Sequence, residues 1–480
     1  MKESIRTFGE CLEELMHAKG LSAQRLAQIT GYKSKTSIAR MLRDESAHAG
    51  RERLLRCMDA LGLLTAEEKR ALQSGIEVNR VGRENALARS MLFDALTGKD
   101  GAVPLAPEVE EALNALRSAR SARVLVLNCC WPGVLCALRG ILEARPSHAL
   151  EHFVTIGNTP LQMMPVLCTL LRSAYLPGYA CFAWRDGGDS SGVSGVNAVC
   201  FTAQDRDGAR WDTLVFFSRR DHGAAITLPA ERGLFDFFER AIERQDFVPI
   251  VSAYAPLAGP SGLVNSMRFC TELERNANIS AAKPDLCINA VEPSFLRAAL
   301  LEGGVLEGFA GWDEKRVRAL LEEFLYFQQR RFEAEFSGAK TRRLVMSPRI
   351  VRVFALTGKF STPFPAIRPF TVRERIRILE NLIHAAQDAR DYSLYLWREE
   401  KEIVFEVTCF HGLGIFASPS GESGALDIDI QASMIRHPGL VSLFLECFED
   451  GLLRNNVMSG QQSLDYLAGI VEGLRQGPCA

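Results

Sequence analysis

Several things are missing from this sequence, and each absence removes a class of protein. No apolar run approaches the ~18 residues that a membrane-spanning helix needs. The longest, such as Ala198–Phe201 and Thr213–Phe217, are of strand length. The opening MKESIRTFGECLEEL carries charges of both signs and no apolar h-region, so it does not read as a signal peptide. None of the 13 cysteines forms a C-x-x-C pair, and Cys136, Cys168, Cys181, Cys200, Cys409 and Cys447 sit inside apolar segments. They read as reduced packing cysteines of a cytoplasmic protein, not as a disulfide framework. The adjacent pair Cys129–Cys130 admits a redox switch, but burial is the commoner fate of free cysteine.

Chemistry-bearing motifs are equally scarce. Gly188-Asp-Ser-Ser-Gly192 matches G-x-S-x-G, yet a nucleophile elbow needs strand, serine, then helix, and here a Gly-rich loop leads into a strand. Ser190 is therefore not expected to be a nucleophile. His148 and His152 are spaced i, i+4 without the glutamate of H-E-x-x-H or a third ligand. His222, His411 and His437 stand alone and read as structural. SGAKT at 337–341 lacks the Gly-Lys adjacency of a P-loop, and no G-x-G-x-x-G follows an expected strand. The expectation is a chain with no catalytic residue, metal or cofactor, and no enzyme activity.

What is present is length, a core, and a local charge imbalance. At 480 residues, with 47% hydrophobic and 24% charged residues, two or three globular domains are expected. The formal net charge is only −2. Residues 19–56, however, carry nine bases (Lys19, Arg25, Lys33, Lys35, Arg40, Arg43, Arg51, Arg53, Arg56) against three acids (Asp44, Glu45, Glu52), an excess of six. From residue 101 onward acids outnumber bases by 44 to 39, an excess of five. A basic, polyanion-binding end on an acidic body follows.

Periodicity divides the chain further. Phe8, Cys11, Leu12, Leu15 and Met16 recur at helical spacing up to Gly20, and further helical patterns follow to about Leu96, with a capping box at Thr65 and Glu68 and a break near Gly82. Two Gly and two Pro in TGKDGAVPLAP mark a linker. Strand and helix patterns alternate beyond it, which indicates a mixed-sheet α/β body. The expected layout is an all-α domain at 1–97, a linker at 98–107, an α/β unit at 108–255, a mainly helical connection at 256–345, and a second α/β unit at 346–480. The segments 228–243 and 435–450 each follow a strand pair and share a GL-x-x-F/L-F spacing, which raises a diverged duplication.

The segment Leu21–Leu42 (LSAQRLAQITGYKSKTSIARML) carries the functional signal. Leu26 and Ile29 bury a first short helix, and Ala27 is small where a second helix must cross. Gly31 supplies a positive-φ turn, and Ile38, Met41 and Leu42 bury the second helix. With Ile38 inward, Thr36, Ala39, Arg40 and Arg43 point outward at ~100° per residue and Ser37 lies on the flank. The segment resembles the XRE/Cro-like helix-turn-helix family of regulators over residues 8–62. It departs from the family in a turn one residue longer after Gly31, and in RDESAHAG where an acidic-x-Gly ending with a following proline is usual. The resemblance implies that the second helix enters the major groove of double-stranded DNA. Thr36, Ser37 and Arg40 would then meet bases, while Ser22, Gln24, Lys33, Ser34, Lys35 and Arg43 would meet phosphates. Ala27 and Gly31 form the hinge.

The resemblance further implies a homodimeric transcriptional regulator whose body dimerises or senses a small-molecule or peptide effector. Trp131, Tyr179 and Trp184, near expected strand ends, are the candidate lining of an effector pocket. The alternatives are a helix-turn-helix that binds protein, and an enzyme recruited to DNA.

Overall fold

A computed structural model of the chain describes residues 5–98, 105–145, 147–184, 196–218, 222–256, 259–284, 286, 288–305, 313–337, 339–359, 367–388, 391–398, 403–419 and 431–477. Two compact units emerge, Met1–Leu92 with Thr159–Leu161, and Phe93–Asn158 with Gln162–Ala480. The helices α1 (Phe8–Ala18), α2 (Ala23–Ile29), α3 (Lys35–Leu42), α4 (His48–Ala60), α5 (Ala66–Val81) and α6 (Arg83–Leu96) come first. Capping boxes at Thr7/Glu10 and Thr65/Glu68 start α1 and α5, each giving an exposed backbone N–H a side-chain acceptor. Gly82, at φ 85°, separates α5 from α6. Phe8, Leu12, Leu26, Ile38, Leu54 and Met58 form a fully buried core among α1 to α4. Gly75 lets α5 lie directly on α1, because a Cβ there would fall 2.7 Å from the backbone of Phe8.

Among the described residues, the body holds two seven-stranded sheets. After α7 (Pro107–Ser118) come β1 (Ser121–Leu127), α8 (Pro132–Ala144), β2 (His148–Val154), α9 (Pro160–Ser173) and β3 (Tyr179–Trp184). They are followed by β4 (Ala198–Gln204), β5 (Arg210–Ser218), β6 (His222–Pro229), α10 (Leu234–Glu243) and β7 (Phe247–Pro249). The order is β6-β5-β4-β1-β2-β3-β7. Strands β1, β2 and β3 run parallel, β4 to β6 form an antiparallel meander beside β1, and β7 closes the far edge against β3.

The second sheet contains β8 (Val251–Pro256), β9 (Ile279–Lys283), β10 (Arg342–Met346), β11 (Tyr392–Leu396), β12 (Phe405–Phe410), β13 (Gly414–Pro419) and β14 (Gln431–Ile435), in the order β11-β10-β9-β12-β13-β14-β8. Its helices are α11 (Gly259–Asn276), α12 (Pro293–Glu302), α13 (Glu314–Phe336), α14 (Pro348–Thr357), α15 (Val372–Asp388), α16 (Pro438–Glu446) and α17 (Gly460–Gln476). The stretch expected to be mainly helical, 256–345, therefore also supplies β9 and β10, two interior strands of this sheet. Ile279-Ser-Ala-Ala-Lys283 is too short and too poor in bulky residues to announce a buried strand.

Six strands of each sheet repeat one topology, while the seventh lies beside β3 in the first sheet and beside β14 in the second. In each, three parallel strands precede an antiparallel meander that pairs back onto the first of them. The third meander strand then leads into a helix, α10 or α16. Gly233, Leu234, Phe238 and Glu243 recur at a constant offset as Gly439, Leu440, Phe444 and Glu449. A second echo, absent from the expectations above, is YACFAW at 179–184 and YSLYLW at 392–397. Trp184 pairs antiparallel with Phe247, and Trp397 makes the corresponding antiparallel bridge to Val457.

Candidate nucleic-acid interface

The turn between α2 and α3 follows from four residues. Ser22 caps α2, its Oγ accepting the Arg25 backbone N–H at 3.2 Å. Leu26 and Ala27 are buried, and Thr30 returns its hydroxyl to the Leu26 carbonyl at 2.7 Å. Gly31 adopts φ 72°, which allows the Tyr32 N–H to reach back to the Ala27 carbonyl at 2.9 Å and end the helix. Tyr32 then anchors the loop. Its hydroxyl donates to the Gly50 carbonyl at 2.9 Å, and the Arg53 guanidinium lies 5.3 Å above its ring. Burial pushes that hydroxyl pKa up.

Helix α3 starts at Lys35, with Ser34 extended before it and making no side-chain capping bond. Ile38 and Met41 point into the core. Lys33, Ser34, Lys35, Thr36, Arg40 and Arg43 are exposed, as are Ser22 and Gln24 on α2, while Ser37 is half-buried. Ala39, expected outward, is half-buried, next to the buried Ile38. Not every base in the local excess belongs to this surface. Arg51 is buried, donating to the Asp44 carbonyl at 2.6 Å, and Lys19 pairs with Glu68 at 2.9 Å. Arg25, not among the expected contact residues, is exposed on the first turn of α2, next to Gln24.

The three aromatic residues named as a pocket do not come together. Tyr179 and Trp184 are five residues apart on one strand and so face opposite sides of the sheet. Tyr179 is buried and donates to or accepts from His152 Nδ1 at 3.0 Å. Trp184 stacks on Phe153 at 5.4 Å on the α10 side, and Trp131 leans on Phe217 at 5.0 Å on the other. His148 and His152 both lie buried on β2, where His148 Nε2 meets the Leu116 carbonyl at 3.1 Å. Burial lowers the pKa of His152 to about 3 and pushes the Cys129 and Cys181 thiols up to about 12. Thiols held that high stay protonated and unreactive. Ser190 lies outside the described residues.

No curated protein matches this chain. Among solved structures it is similar to the polyphosphate kinase of Porphyromonas gingivalis, at 10% identity and a TM-score of 0.22, over 76% of this chain and 54% of that one. The chain thus spans about half the length of that enzyme. A likeness to an enzyme stands against the expectation that this chain is none, and that expectation is withdrawn. A TM-score of 0.22 is too low to carry a reaction or a residue role across. The model of the helix-turn-helix domain matches residues 7–72, which span α1 through the first half of α5. The N-terminal region of this chain is a helix-turn-helix domain, joined to an α/β body built on two mixed sheets.

Proposed function

We propose that the chain is a sequence-specific, double-stranded-DNA-binding transcriptional regulator of XRE/Cro type, acting in the cytoplasm as a homodimer. One observation carries this reading: the exposed side of α3 and its approach bears Lys33, Ser34, Lys35, Thr36, Arg40 and Arg43 with no acid among them. In this reading Thr36, Ser37 and Arg40 meet base edges, because the early residues of a recognition helix do so. Ser22, Gln24, Lys33, Ser34, Lys35 and Arg43 set affinity through phosphates. A twofold dimer pairs two such helices about one turn of DNA apart. We assign residues 1–97 to DNA binding and 98–107 to a linker. The body, 108–480, holds the partner subunit or an effector.

The test is selection of bound fragments from genomic DNA by the purified full chain at near-physiological salt. Enrichment of a palindromic sequence supports the proposal and gives the half-site spacing. Recovery of fragments with no enrichment over bulk DNA overturns it, in favour of a helix-turn-helix that binds protein.

A further inference from the structure

Glu45 holds both arginines that the proposed interface needs. Its Oε2 lies 3.2 Å from Nη2 of Arg43, and its backbone carbonyl accepts from Nη2 of Arg40 at 3.5 Å. The residue is fixed there by backbone. Its own N–H donates to the Arg40 carbonyl at 2.9 Å, and the preceding Asp44 is locked at φ 58° by bonds to Gly9 and Arg51. The Arg43 and Glu45 side chains are 62% and 52% exposed, so the pair faces solvent, where a polyanion arrives.

We infer that Glu45 is an internal competitor for the nucleic acid, standing in for a phosphate while none is bound. The inference rests on the DNA-binding reading. For Arg43 to clamp a phosphate it must leave Glu45, and the stranded carboxylate then sits beside the DNA backbone. Each Lys or Arg that neutralises a phosphate releases about 0.9 of a counterion, whereas one that merely exchanges carboxylate for phosphate gains little. Glu45 therefore lowers both the affinity for any duplex and its salt dependence. Glu45 is thus a positioning residue at the end of α3.

The experiment measures affinity of the full chain for an enriched fragment and for an unrelated duplex by fluorescence anisotropy across a salt series. Wild type is compared with Glu45→Gln, Glu45→Asp and Glu108→Gln, the last an exposed acid on α7 in the body. Glu45→Gln should bind both duplexes about fivefold more tightly, with a log–log salt slope steeper by about one. Glu45→Asp should keep the wild-type slope, because the charge remains, and Glu108→Gln should change neither quantity. Wild-type binding with an unchanged slope in Glu45→Gln overturns the inference, as does an equal steepening in Glu108→Gln. Wild type that binds no duplex even at low salt overturns the DNA-binding reading itself.

Discussion

The carboxylate of Asp44, one residue beyond the C-cap of α3, accepts the backbone N–H of Gly9 at 2.9 Å. Gly9 is the second residue of α1, and its N–H has no partner within that helix. The neighbouring N–H groups are met in the same way, that of Phe8 by Asn79 of α5 at 2.8 Å and that of Glu10 by Thr7 at 3.3 Å. The start of α1 is thus a knot that ties the end of α3 and α5 to one point. Gly9 is required there, because a Cβ would fall 2.4 Å from the Leu42 carbonyl oxygen.

Asp44 also tolerates its left-handed backbone, which asparagine and glycine accept and alanine resists. Asp44→Ala should cost about 2–3 kcal/mol, about 1 from the lost cap and the rest from strain. Asp44→Gly should cost about 1 kcal/mol, and Asp44→Asn, which keeps an acceptor oxygen, less than that. Hydrogen exchange of peptides covering α1 in the full chain reads the order directly, as protection falling in the sequence Asn, Gly, Ala. Equal losses for Asn and Ala would show that the oxygen contributes nothing.

The exposed bases should separate by the kind of contact they make. Lys35→Ala should weaken binding to any duplex to a similar degree and flatten the salt slope by about one. Arg40→Ala should cost about 1–3 kcal/mol on the selected sequence and much less on unrelated DNA, relaxing preference at one base position. Competition binding with single-position variants of the selected sequence checks this. If Arg40→Ala weakened all sequences equally, Arg40 would be a phosphate contact.

The sequence made the short elements of the first unit readable because each carries its own start and stop. Thr65 with Glu68, Gly31 and Gly82 are local signals and need no knowledge of distant residues. Asp44 was opaque for the opposite reason: it looked like a departure from the family ending, and its role appears only when Gly9, 35 residues earlier, lies beside it. The body shows the same divide. Alternating strand and helix patterns revealed α/β character, and the shared spacing of α10 and α16 hinted at duplication. That β9 is an interior strand depends on pairing with β10 and β12, which lie about 60 and 130 residues away in the chain. The odd spacing from Tyr179 to Trp184 on one strand already places them on opposite faces, which the sequence shows by itself.

Buried charge between the helices α11 and α13 offers a sharper stability test. Arg331 donates to Glu274 through Nε at 2.8 Å and Nη2 at 2.6 Å, and Asn289 bridges Glu274 and Glu335 at 3.3 and 3.2 Å. Burial pushes the Glu274 pKa up, but the Arg331 charge outweighs it and holds the carboxyl below its usual range. Arg331→Met strands that carboxylate and should cost about 3–5 kcal/mol. Adding Glu274→Met removes the stranded charge and should recover more than half of the loss. Thermal unfolding midpoints of the four proteins in the cycle test this. A double variant no better than Arg331→Met would show that the network, and not the pair, carries the stability.

Histidine burial gives the body a pH dependence whose sign is set by His152. That ring is completely buried on β2, and burial lowers its pKa from an ordinary 6.5 to about 3. His148 and His411 are lowered by the same cause. Between the folded and unfolded values the unfolded chain binds more protons than the folded one, so stability rises with pH. The contribution of His152 is therefore complete above pH 6.5 and is lost as pH falls below it, by about 1.4 kcal/mol per unit. The buried carboxylates Glu274 and Glu406, whose pKa values are also lowered, add their losses only below their ordinary 4.5. The interval from pH 6.5 to 4.5 thus isolates the histidines. Thermal midpoints of the full chain should fall steadily across it. His152→Gln keeps a partner for the Tyr179 hydroxyl while removing the titrating group. It should be less stable than wild type at pH 7, yet lose stability more slowly on acidification, by about one proton's worth of slope. An unchanged slope in His152→Gln would mean that His152 is not the group that titrates.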